Sequence, residues 1–255
     1  MNKSSTELIK SLMLKKFDTR KQLGITSAED VYQTIKKLFE KKDTINMIFA
    51  AAPSQLDFIE NFCCDKRIDF SRINAYHMDE YIGLPNEAPQ GFGQFLKTYL
   101  FSKANFKSVN YINGNSDNLE AECDRYAELL KDNCPDIVCL GIGENGHIAF
   151  NDPDVAEFND AKAVKVVELD AICRQQQVND KCFNVIDEVP KKALTLTIPT
   201  LVHAEYHFCI VPSEKKAEAV YKTFHNAIDE TCPATILRKC DNIIFYVDSD
   251  SGKLL

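Results

Sequence analysis

Asp136-Ile-Val-Cys-Leu-Gly-Ile-Gly-Glu-Asn-Gly-His-Ile-Ala-Phe-Asn-Asp-Pro153 is the stretch from which the architecture is read. Ile137 to Leu140 are a short apolar run, the pattern of a strand buried on both faces. Gly141, Gly143 and Gly146 then break the run and let the backbone turn sharply and approach a ligand closely. The loop delivers His147, with Asn145 and Asp152 beside it, to the carboxyl end of a strand, where open α/β sheets bind their ligands.

The same alternation extends in both directions. Upstream, Thr26-Ser-Ala-Glu29 has the form of a capping box and predicts a helix through Lys41, with Val31, Ile35 and Leu38 at helical spacing. Ile45 to Ala50 follow as a strand, Pro53-Ser54 open a helix carrying Phe58, Ile59 and Phe62, and Ile73 to Tyr76 form the next strand. A loop at Pro85 to Pro89 and helices near Gln94 to Phe101 and Asn118 to Lys131 precede the opening stretch. Downstream, Leu194-Thr-Leu-Thr-Ile198 alternates at period two, and Tyr206 to Val211 and Ile243 to Val247 flank a helix over Ser213 to Phe224. Strands and helices taking turns predict an α/β, Rossmann-like fold, a mostly parallel sheet with helices on both faces. Residues 1–255 are expected to form a single domain, with the polar, irregular 154–188 segment as an excursion or lid.

Composition narrows the function. A net charge of -8 opposes nucleic acid and anionic membrane as partners, and no apolar run approaches the roughly 20 residues of a membrane span. Met1 to Lys16 read as a charged amphipathic helix, with Lys10 and Lys15 interrupting any signal peptide. The ten cysteines show no Cys-x-x-Cys pair or zinc spacing, and Cys139 and Cys209 sit inside apolar runs, which fits a reducing cytoplasm.

Gly141-Ile-Gly-Glu-Asn-Gly146 also matches the dinucleotide fingerprint, but Asn151-Asp-Pro153 stops any long helix whose dipole could face a pyrophosphate. Asp79, in His77-Met-Asp-Glu-Tyr81, follows a strand and is expected at the sheet edge that carries His147, where two titratable groups suit acid and base work. Equally, Asp79 or Glu80 serves to cap the following turn. For His147 a satisfied core histidine is the alternative, which the three glycines disfavour.

Met78-Asp-Glu-Tyr-Ile-Gly-Leu-Pro85, Asn113-Gly-Asn115, Leu140 to Pro153, Val189-Pro-Lys-Lys-Ala-Leu-Thr195 and Lys216-Ala-Glu-Ala-Val220 resemble, in order, the glucosamine-6-phosphate deaminase/isomerase family. The resemblance implies conversion of glucosamine 6-phosphate to fructose 6-phosphate and ammonia, with no metal and no organic cofactor. It implies that Asp79 moves a proton from C2 toward C1 of the opened sugar, and that His147 assists ring opening. Lys216 matches the phosphate-binding lysine, with Lys215 making the register uncertain by one, and Arg174 matches an arginine reaching the phosphate from the lid.

Departures accompany the matches. Asn145 stands where many members have Asp, and is expected to accept from the imidazole without supplying charge. Asp152 stands where they have Glu and is a methylene shorter, so its reach is in question, and Glu144 compensates only if its side chain turns inward. Ala50-Ala-Ala-Pro-Ser-Gln55 replaces a glycine-rich phosphate loop, leaving Ser54 and Gln55 as donors at a helix start, or Ser54 simply as a cap. The Arg-rich run of an allosteric site is missing, so activation of that kind is not expected. The catalytic candidates are thus Asp79, His147, Asn145, Asp152 and Glu144, and the substrate-binding candidates Ser54, Gln55, Gly143, Arg174 and Lys216. The expected partner is a phosphorylated sugar, with homo-oligomerisation left open. The rivals are lactone hydrolysis in the manner of the related 6-phosphogluconolactonases, with His147 activating water, and a noncatalytic sugar-phosphate sensor.

Overall fold

The computed structural model describes residues 13–255. The apolar runs become strands β1 (Met13–Phe17), β2 (Ile45–Phe49), β3 (Ile73–His77), β4 (Asp79–Tyr81), β5 (Ser108–Asn110), β6 (Ile137–Leu140), β7 (Val164–Glu168), β8 (Lys192–Leu196), β9 (Tyr206–Val211) and β10 (Ile243–Asp248). The helices used below are α1 (Arg20–Phe39), α2 (Leu56–Cys63), α3 (Phe92–Leu96), α4 (Leu119–Asp132), α5 (Ala171–Asn179), α6 (Ile198–Val202) and α7 (Ala217–His225). Seven strands make one parallel sheet in the order β1-β10-β9-β6-β2-β3-β5, and β4-β8-β7 form a second, antiparallel sheet.

Helices cover both faces of the parallel sheet because its central strands bury side chains on both. Successive side chains leave opposite faces, so Met47 and Phe49 share a core with Leu23, Val31 and Ile35 of α1 and Phe58 and Phe62 of α2. Ile48 between them belongs to the opposite core, with Tyr126 and Leu130 of α4 and Val220 and Phe224 of α7. Burying each such side chain contributes about 1.5–3 kcal/mol, and a one-residue slip of β2 would exchange the two cores, so the register is tightly held.

Four expectations are corrected. Residues 1–12 of the predicted N-terminal helix lie outside the described residues, and Met13–Phe17 is a strand paired with β10, whose edge offers backbone groups that override a local helical pattern. α1 starts after Thr19, whose hydroxyl accepts from Gln22 N at 3.2 Å, so Thr26 to Glu29 lie inside the helix and Leu23 extends its apolar stripe backwards. The strand expected over 194–198 instead spans Lys192–Leu196 and joins the antiparallel sheet, since Pro199 in the first turn favours helix α6 from Ile198. The 154–188 segment is not irregular: it carries β7 and α5, the latter capped by the Asp170 carboxylate on Cys173 N.

β2 and β6 are neighbours although the chain builds β3 and β5 between them. Loops leaving adjacent strands toward opposite sides open a crevice at such a switch point, and the candidate residues gather there.

Candidate active site

Loops from the carboxyl ends of β2, β6 and β9, together with β4 and α5, line one cleft that contains Ser54, Gln55, Asp79, Gly143, His147 and Lys216. Asp79 comes from the second sheet: β3 ends at His77 and β4 begins two residues later, so the chain changes sheets beside the cleft. His77 itself is structural, fully enclosed, with its Nε2 accepting from Ile112 N at 2.8 Å and burial pushing its pKa down to about 4.

Strand alternation separates the two acids that the sequence left in competition. Glu80 does the capping, its carboxylate accepting from Tyr81 N, Phe92 N and Gly93 N at 2.7–3.0 Å and so securing the start of α3. Asp79 instead faces the cleft, where burial and then the charge of Glu80 push its carboxyl well above the usual range. No cation is among the influences on it.

The glycine loop holds His147 against its own backbone. Gly143 N donates to His147 O at 2.9 Å, and the imidazole lies flat on Gly143, where a Cβ would come 2.3 Å from Cε1. Gly146 turns the chain with a φ of +88°, and Ala149 takes the left-handed φ of 49°, a strained position of the type that clusters at functional sites.

Asp152 reaches the imidazole despite its shorter side chain, placing Oδ1 2.9 Å from His147 Nδ1, although the ring N–H is not aimed straight at that oxygen. Burial pushes the Asp152 carboxyl up, but His147 and the Asn145 amide more than offset this and leave it below the usual range. Asn145 does not accept from the imidazole as expected. Its Oδ1 takes the His147 backbone N–H at 3.0 Å and its Nδ2 bridges Asp152 and Asp170, because Asp152 already occupies the imidazole. Glu144 lies outside the cleft: its N–H donates to Gln176 Oε1 at 2.8 Å and its carboxylate meets Asn179 Nδ2, tying the loop to α5.

At the other end, Lys216 is 5% exposed and its Nζ has no hydrogen-bond partner among the described residues. Burial pushes its pKa down, partly opposed by Asp180 and Glu144. It sits just after Ser213, whose backbone is held at φ 93° by an N–H bonded to both Asp248 oxygens, a conformation costing about 1–3 kcal/mol and placed where it aims the lysine. The residue in the cleft is therefore Lys216; Lys215 points out to Asn179 O. Ser54 and Gln55 form the 3₁₀ turn before α2, neither as a side-chain cap; Gln55 Nε2 donates to Ile210 O at 3.0 Å and leaves its buried Oε1 unpaired.

Arg174 is not in the cleft. Its guanidinium donates to the carbonyls of Ile186 and Val189 at 2.6–3.2 Å, bracing the chain that leads to β8. On α5 the inward stripe is Cys173, Gln176 and Gln177, spaced i, i+3, i+4, and position 174 is rotated off it. Gln176 and Gln177 line the cleft and were missed, because a buried stripe made of amides gives no hydropathy signal. The polar spacing Cys173, Gln176, Gln177 was the available clue.

A built cleft at a switch point, with a buried carboxyl, an imidazole backed by a carboxylate and an unpaired ammonium, suits proton transfer on an anionic ligand. The family model for glucosamine-6-phosphate isomerases/6-phosphogluconolactonase matches residues 18–245. The glucosamine-6-phosphate deaminases of Bacillus thuringiensis (strain Al Hakam) and Bacillus cereus (strain AH820) are each 34% identical over 227 residues, covering 89% of this chain and 84% of the relative. Among solved structures, a monomeric glucosamine-6-phosphate deaminase superposes with a TM-score of 0.87 at 29% identity, over 96% of this chain and 100% of that one. The 6-phosphogluconolactonase of Thermotoga maritima, at 19% identity and a TM-score of 0.76 over 93% of this chain and 99% of its own, shares the fold. By sequence and by architecture alike, this chain belongs to the family of glucosamine-6-phosphate isomerases and 6-phosphogluconolactonases.

Proposed function

We propose that this chain converts glucosamine 6-phosphate and water to fructose 6-phosphate and ammonia. The observation that carries the proposal is the distribution of charge in one cleft: proton-transfer groups Asp79 and His147 on its walls and a buried, unpaired Lys216 for the phosphate. Ser54, Gln55 and the Gly143 backbone complete the binding side, with Gln176 and Gln177 facing the ligand from the 154–188 excursion of a single isomerase-like domain.

His147, oriented by Asp152, exchanges the proton that opens the sugar ring. Asp79 then takes the proton from C2 and returns it to C1 while a proton passes from the 2-amino nitrogen to O1, leaving C2 as an imine that one water hydrolyses to the ketone and ammonia. A carboxyl whose pKa is raised by burial is the stronger base. The substrate's own ammonium supplies the positive neighbour that Asp79 lacks in the protein and so favours its ionised form, which argues for an amino sugar over a 2-hydroxy sugar.

The free thiols suit a reducing cytoplasm, and among the described residues no helix is long and apolar enough to cross a membrane. The test is simultaneous measurement of ammonia and ketose from glucosamine 6-phosphate, with 6-phosphogluconolactone run in parallel. Both products in equal amounts are expected; turnover of the lactone without ammonia would replace the proposal, and tight binding of sugar phosphates without turnover would make the chain a sensor.

A further inference from the structure

Among the described residues one trio of metal-ligating side chains sits together: His147, Asp152 and Cys173, all buried, each offer a ligand atom within 4.8 Å of the others. We propose that this trio binds a soft divalent cation of the Zn2+ type and that its occupation stops the chemistry of the cleft.

One feature besides proximity points to a ligand. Asp152 Oδ2 is enclosed and has no hydrogen-bond partner among the described residues, since Asn145 Nδ2 takes Oδ1 alone. His147 Nδ1 lies 2.9 Å from the other oxygen, Oδ1, with the ring N–H off line, and Asp152 is 1% and His147 8% exposed. An unsatisfied buried carboxylate oxygen is costly and rare, and next to an imidazole and a thiol it is the mark of an incomplete coordination shell.

The donor set fits the ion. Imidazole nitrogen, carboxylate oxygen and thiolate sulfur are the ligands Zn2+ takes, at about 2.0–2.3 Å, which places tetrahedral ligand atoms roughly 3.3–3.8 Å apart. Side-chain rotations of about 1 Å bring the trio to that spacing, with the fourth position left to water as in other three-ligand sites. Binding involves no redox change: the Cys173 S–H bond breaks, an S–Zn bond forms and the proton goes to solvent, while His147 binds neutral and Asp152 ionised. The metal takes the Nδ1 lone pair and the Asp152 carboxylate, so the imidazole can no longer become imidazolium. Cys173 itself comes from α5, does not line the cleft and has no role in the proposed reaction. Binding stands on the trio alone; inhibition rests on the proposed function.

Wild-type protein, Cys173→Ser and Cys173→Ala are titrated with Cd2+ and Zn2+ without substrate. One equivalent of Cd2+ is expected to raise the ultraviolet thiolate-to-metal charge-transfer band in wild type and in neither variant. Zn2+ affinity, read by competition with a chromophoric chelator, should fall at least about tenfold in both. Separately, Zn2+ should suppress wild-type ammonia release, a chelator should restore it, and both variants should keep the basal rate while resisting Zn2+. A band of equal size in the variants would assign the thiol elsewhere, with the Cys63–Cys64 pair at 3.9 Å the obvious source, and would overturn the site. Cys173-dependent binding with undiminished ammonia release would overturn the inhibition. A chain that releases no ammonia at all refutes the proposed function, and the Cd2+ band still decides the site.

Discussion

Lys216→Met should make the protein more stable and a worse binder. Methionine keeps most of the apolar stem and volume of lysine and removes the ammonium. That ammonium is 5% exposed and without a hydrogen-bond partner, and Asp180 and Glu144 only partly offset the burial that lowers its pKa. An unsatisfied buried polar group costs about 1–3 kcal/mol, more if charged, so the ligand-free variant should gain at least about 1 kcal/mol. For a domain of this size that is roughly 2–4 °C in Tm per kcal/mol. The sign with pH follows from a lysine whose folded pKa lies below its unfolded one. The native state sheds the proton first, so wild-type stability rises with pH through that window and the advantage of the variant shrinks. With ligand the balance reverses: a charge-assisted hydrogen bond to phosphate contributes about 1.5–3 kcal/mol, so KM should rise about 10- to 150-fold. Melting scans with and without fructose 6-phosphate, beside steady-state kinetics, read both effects. A variant that melts below wild type without ligand and keeps its KM would show that the ammonium is satisfied in the fold, and the phosphate assignment would fail.

Asp79→Asn should abolish ammonia release yet raise Tm at neutral pH. A carboxyl with a raised folded pKa withholds stability once pH exceeds its unfolded value, so the gain should vanish as pH falls toward about 4, and equal melting at every pH would contradict the burial argument. Gly143→Ala would put a Cβ 2.3 Å from the His147 ring, and displacing that ring by about 1 Å should cost on the order of 100-fold in kcat with little change in KM. Arg174→Ala should lower stability by about 1–3 kcal/mol through the carbonyls it leaves at 186 and 189, with KM unchanged; a selective rise in KM would return Arg174 to the phosphate site.

Most strands and helices were legible because burial on two faces leaves apolar runs such as Ile137 to Leu140, which Gly141 ends, and the largely apolar Ile45 to Phe49. Asp79, His147, Gly143 and Lys216 were legible as residues at strand and helix ends, and the fold brings the four to one cleft. Arg174 and Glu144 were misplaced for a common reason: a charged side chain beside a site looks the same in sequence whether it points in or out. α5 turned its amide stripe inward and left the guanidinium to brace residues 186–189.

By itself, then, the order of residues determined an alternating α/β chain and the loop that presents His147, since hydropathy period and glycine placement act locally along the backbone. Only the tertiary structure decided that Asp152 reaches the imidazole in place of Asn145, that Asp79 crosses from a second sheet, and that Lys216 has no hydrogen-bond partner among the described residues. Those outcomes depend on ångström distances that packing sets and periodicity does not encode.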